Sequence, residues 1–111
     1  MSTGTERRRQ ILAEIEKCVC RDRQNTYGDA EDNFRQIARY WSEWKGVEFT
    51  ALDVAAMMVF VKLARMKTSP FNLDNWIDAA GYAVCGGGIV SKANENQIVD
   101  PPHLSDKSTG A

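Results

Sequence analysis

Asp74, Asn75, Asp78 and Tyr82 form the set of residues best spaced for chemistry. Asp74 to Asp78 and Asp78 to Tyr82 are four apart, and Asn75 stands three before Asp78 and seven before Tyr82, so all four share one side of a helix. Asp78 lies beyond the first turn, where capping no longer explains an acid. Hard oxygen ligands at this spacing suit Mg²⁺, which also accepts phosphate oxygens. A salt bridge to Lys62 or Arg65 across a helix interface is the structural alternative.

Lys62 and Arg65 are a second set, three residues apart inside an otherwise apolar segment. Two cations on a buried helix cost several kcal/mol unless they meet anions. The partner is either a structural carboxylate or a phosphate, which arginine grips with two bonds and lysine meets as a point charge. A third set is Tyr27-Gly28-Asp29 with Asp32 and Asn33. Asp29 to Asn33 and Asp29 to Asp32 fall on one side of a helix start. The acids there serve either as ligands or as an N-cap with dipole-favoured neighbours, whereas Asn33 is a poor helix-interior residue that capping does not account for.

These residues need helices to position them, and four helical patterns are legible with no convincing strand. A first helix from about Thr5, which can serve as its N-cap, to Cys20 places Ile11, Leu12, Ile15, Cys18 and Val19 on one face. The Arg7–Arg9 run ahead of it reads as a solvated end or a hook for nucleic acid. A polar loop follows, Arg21 to Asp29. Ala30 to Lys45, capped by Asp29 and stopped at Gly46, carries the stripe Phe34, Ile37, Ala38, Trp41 and Trp44. Thr50-Ala51-Leu52-Asp53 is an Asp variant of the capping box and opens a third helix to about Lys67. That helix is apolar nearly all round, which calls for burial on most sides and, in so short a chain, for a dimer or tetramer. Asn72 caps a fourth helix, Leu73 to Gly86, with Trp76, Ile77, Ala80 and Val84 as contacts and Gly86-Gly87-Gly88 ending or bending it. Residues 1–90 thus read as one helical domain and 91–111 as a polar tail or arm.

Composition narrows the function classes. The 111 residues are 43% hydrophobic and 26% charged, ordinary for one small globular domain. Lys+Arg 14 against Asp+Glu 15 gives no net positive field, which argues against nucleic acid as a partner. The most apolar stretch, Ala51 to Met66, is broken by Asp53, Lys62 and Arg65, short of the roughly 20 apolar residues a bilayer span needs. The amino terminus shows no secretory pattern. Cys18, Cys20 and Cys85 form no CxxC, and the lone His103 leaves a zinc site without ligands. No GxSxG occurs and no histidine stands by as a base, so any reaction would be metal-assisted hydrolysis.

From Arg21 to Tyr82 the chain resembles a small all-α domain of unknown function common in phages and prophages. The resemblance is carried by Asp22-Arg23-Gln24, Tyr27-Gly28-Asp29, Asn33-Phe34, Ile37-Ala38, Trp41, Lys62-Leu63-Ala64-Arg65 and Asp74-Asn75-Trp76-Ile77-Asp78-Ala79-Ala80-Gly81-Tyr82. More remotely, it is similar to the MazG-like all-α nucleoside triphosphate pyrophosphatases and to phage nucleotide-modification domains. In that group carboxylate-bound Mg²⁺ helps water cleave between the α- and β-phosphates. Asp78 matches the aspartate of their ExxD helix and Tyr82 the aromatic after it, while Asn75 stands where a glutamate is expected. Glu31 and Asp32 match the first acidic helix loosely, with Phe34 and Arg35 in place of its second glutamate.

The resemblance implies a four-helix, MazG-like oligomeric bundle in the cytoplasm, that of the host if phage-encoded. Its function would be nucleotide-phosphate binding, with Mg²⁺-dependent pyrophosphohydrolysis as the enzymatic version. Asp78, with Asp74 or Asp32, would bind metal. Lys62, Arg65 and Arg23 would hold phosphates, with Asn33 and Asn75 beside them, and Tyr27 or Tyr82 would contact the nucleoside. A nucleotide-sequestering protein without catalysis and a purely structural helical module are the alternatives.

Overall fold

Thr50 begins the helix that packs between its two neighbours in sequence. In the computed structural model, which describes residues 2–22 and 29–96, its hydroxyl accepts from the Asp53 amide at 3.2 Å. The Asp53 carboxylate in turn accepts from the Thr50 amide at 2.8 Å. Both halves of the expected capping box are present, so two of the helix's orphan N–H groups are satisfied reciprocally.

The described residues are all-helical: α1 (Gly4–Glu16) runs into a π-helical turn (Lys17–Asp22), then come α2 (Ala30–Lys45), α3 (Ala51–Thr68) and α4 (Leu73–Glu95). No strand occurs among them. Arg23 and Tyr27, two of the expected ligand residues, and the tail from residue 97 onward lie outside the described residues.

Gly46 ends α2 with φ +71°, the left-handed conformation that glycine adopts without steric cost. The chain then folds back on α2. Ser42 donates to the Ala38 carbonyl at 2.7 Å and accepts from the Phe49 amide at 2.8 Å. Phe49 meets Trp41 edge-on, with ring centroids 5.9 Å apart. The buried centre consists of Phe34 and Ala38 from α2 and Val54 and Ala55 from α3, flanked by half-buried Met58, Tyr82 and Ile89.

Three expectations need correction. The glycine triplet does not end α4, which continues to Glu95. None of the three glycines has positive φ. A Cβ on Gly86 would lie 3.4 Å from the Ala55 Cβ, so this glycine lets α4 approach α3 closely, and packing outweighs its low helix propensity. The N-cap of α1 is Thr3, which accepts from the Glu6 amide at 3.1 Å, and not Thr5. Asp29 sits at the N-cap of α2 but makes no side-chain cap bond.

The apolar faces also bury less than their patterns imply. Trp44 is 84% exposed, and Leu12, Trp76 and Val84 are more than half exposed. Trp76 Nε1 donates to the Pro70 carbonyl at 2.8 Å, so this indole spans the α3–α4 turn instead of entering the core. Within α3 only Val54 and Ala55 are buried.

Replacing Thr50 by Ala removes one capping bond from the central helix. It should lower unfolding stability by about 1 kcal/mol in urea denaturation, with little change in the slope.

Candidate functional site

Lys62 stands two turns after Ala55 and so lies on the face of α3 turned toward α4. Its Nζ is 3.1 Å from Asp78 Oδ2. The lysine side chain is 12% exposed and that of Asp78 43%. The two sets read separately from the sequence therefore meet, and the structural carboxylate foreseen as one partner of Lys62 is Asp78. Arg65, one turn further, is exposed and does not share this setting.

Asp78 also lines a cleft of about 140 Å³ between the π-helical turn, α2 and α4. Tyr82 lines it one turn further along α4, and Phe34 of α2 closes one wall. The Phe34 and Tyr82 rings are tilted by 36° with centroids 6.0 Å apart. Asn75 is 6% exposed, a buried polar residue one turn before Asp78 on α4. Asp74 is exposed near the amino end of the same helix, and Asn33 is half-buried on α2.

Asp32 is occupied elsewhere. Arg35 hydrogen-bonds to it and, at 2.6 Å, to Glu31, all on the surface of α2. The Glu31 hydrogen bond, with support from Asp32, raises the Arg35 pKa and keeps its guanidinium charged. Among the described residues no three of His, Cys, Asp and Glu gather where they would hold a metal ion. A site built from protein carboxylates alone does not fit these residues.

Cys18, Val19 and Cys85 also line the cleft, although their spacing reads only as core periodicity. The missing signal is the π-helical turn, which changes the direction of Cys18 and Val19 relative to α1. A broader open depression of about 900 Å³ lies between α2 and the loop to α3, lined among others by Glu31, Arg35, Arg39 and Phe49. No expected ligand residue lines it. The Arg7–Arg9 run is exposed, with Arg7 donating to the Ser2 carbonyl and Arg8 to the Thr5 hydroxyl. No described helix is long and apolar enough to cross a membrane.

Asp78→Asn leaves the shielded Lys62 ammonium without its counter-charge. Because Asp78 is partly solvated, the expected loss is about 1–2 kcal/mol, below the 3–5 of a fully buried pair. Adding Lys62→Met should recover most of it, as read by chemical denaturation at neutral pH.

Residues 10–90 match the family described as domain of unknown function DUF6378. The chain is 43% identical over 83 residues to the Gene 55 protein of Mycobacterium phage L5, covering 74% of this chain and 51% of that protein. It is 36% identical over 87 residues to the Gene 55 protein of Mycobacterium phage D29, covering 78% and 58%. The chain thus spans about half the length of the curated relatives it matches. No solved structure matches. With α2, α3, the Lys62–Asp78 pair and most of α4 inside the matched region, the chain belongs to the DUF6378 family, which has relatives in mycobacteriophages.

Proposed function

We propose that this protein binds the phosphate group of a nucleotide at the α3–α4 seam, as a phage nucleotide-binding protein. The observation that carries the reading is the shielded Lys62 ammonium paired with Asp78, whose carboxylate borders a cleft walled by Tyr82 and Phe34. A lysine held out of bulk water keeps its charge close to a ligand at low screening. Tyr82 offers a hydroxyl that donates to phosphate oxygen and a ring face for a base.

Asp78 shapes how binding works. A bare carboxylate beside a phosphate repels it, and Mg²⁺ removes that repulsion by accepting oxygens from both. Mg²⁺ is commonly held by one or two carboxylates plus phosphate oxygens and water, a mode that Asp78 with Asp74 would suit. Asp32, bound to Arg35, is not needed in it. The cleft is smaller than the roughly 300–1,000 Å³ of ordinary ligand pockets, so it would seat one moiety while the rest lies along the surface toward Arg65. Binding without cleavage is the version that so few carboxylates favour. A ligand of this class suits a protein of the infected host's cytoplasm, and the exposed apolar residues of α3 favour a homo-oligomer.

Calorimetry with a panel of ribo- and deoxyribonucleoside triphosphates, with and without Mg²⁺, tests the reading. At least one should bind in an Mg²⁺-dependent manner, and Lys62→Met should weaken it about tenfold or more. Chromatography of the recovered ligand should show it intact, whereas monophosphate and pyrophosphate would mark hydrolysis. Absence of binding by every nucleotide would favour the purely structural module.

A further inference from the structure

Among the described residues, none covers the side of α3 opposite Lys62. Counting around the helix at 100° per residue, Asp53, Ala56, Phe60, Leu63 and Lys67 follow one another at spacings of three, four, three and four, the seam of a helix made to pair with another. All five are exposed, Phe60 at 67%. Met57 and Ala64 flank the seam and are exposed too.

The seam is self-complementary about Phe60. On the same flank and at opposite heights from it, Met57 is matched by Ala64 and Ala56 by Leu63, while Asp53 is matched by Lys67 near the seam's midline. We infer that two copies of the chain pair along this face with their α3 helices antiparallel, related by a two-fold axis near Phe60. In that arrangement Asp53 of each copy meets Lys67 of the other, Met57 meets Ala64, Ala56 meets Leu63, and the two Phe60 rings lie together at the axis. A two-fold interface requires such a patch, in which what residue i offers residue j accepts. Parallel pairing would set Asp53 against Asp53 and Lys67 against Lys67.

The charge pattern selects a second copy over a partner of unrelated chemistry. The occupant must be apolar at its centre, basic at one end and acidic at the other, in reversed order, and α3 itself meets that description. The protomer's own core points the same way. Among the described residues the buried large apolar side chains are Ile15, Phe34, Val54 and Ile77, a small number for an independent domain. This inference names the face and register of the oligomer proposed above. It does not depend on what the cleft binds, because Lys62 projects from the other side of α3.

Sedimentation equilibrium of the full chain across a micromolar concentration series tests it. The expected mass is twice 12.4 kDa. Phe60→Asp should give the single-chain mass with unchanged far-ultraviolet helicity, since this side chain contributes little to the protomer core. Lys67→Gln should weaken association about two- to fivefold, the range of an exposed ion pair made twice across the axis. If Phe60→Asp fails to fold, Lys67→Gln still decides. A wild-type chain that stays single throughout the series overturns the inference, as does a dimer that Phe60→Asp leaves intact. Tighter association of Lys67→Gln overturns the antiparallel register. A monomeric Phe60→Asp chain that still binds nucleotide separates this result from the fate of the ligand reading.

Discussion

The close approach of α3 to α4 at Ala55 and Gly86 is the constraint on which the remaining structure depends. Two small residues let the helices pack tightly, and the short turn at residues 69–72 makes them antiparallel. Moving seven residues on along α3 and eight back along α4 arrives at Lys62 and Asp78. The ion pair is therefore a product of helix register. Tyr82 lies between the two contact points on α4, where it meets Phe34 and joins α2 to the hairpin. A Cβ at 86 would already touch Ala55, so a side chain larger than alanine there would press on α3.

The polar surface is organised by local pairing. Glu31, Asp32 and Arg35 satisfy one another within two turns of α2, which leaves Asp78 with a distinct role at the seam. Near-neutral net charge thus arises from opposite charges placed close together, on one helix in the first case and between two in the second. Only the second is shielded enough for its electrostatics to depend weakly on salt.

Legibility followed the range of the interaction. The capping box at Thr50, the Asn72 cap and the Gly46 stop are satisfied within a few residues, and each was plain in the sequence. The continuation of α4 through three glycines was not, because its cause is a contact with Ala55 more than thirty residues away. A salt bridge from the Asp78 set to Lys62 or Arg65 was legible as an alternative, with the choice between the two cations open. The meeting of Lys62 with Asp78 depended on helix register, which periodicity alone does not set. The apolar circumference of α3 was read correctly as excess, but the sequence pattern on its own does not say which side faces the chain's own core. The π-helical turn had no local marker, and with it the contribution of Cys18 and Val19 to the cleft went unseen.

The connectivity of the helices has a kinetic consequence. α3 and α4 are neighbours in sequence and form an antiparallel hairpin after closing only a four-residue turn, so their contacts cost little chain entropy. α1 and the π-helical turn, by contrast, rest on α4, whose contacting residues lie some sixty positions away. Low contact order favours the hairpin as the early, fast-forming element and leaves the amino-terminal arm to dock last. Since Cys18 and Val19 travel with that arm, the cleft is completed only in the final docking step. The arm is also the element whose release would open the cleft while leaving the helical hairpin intact.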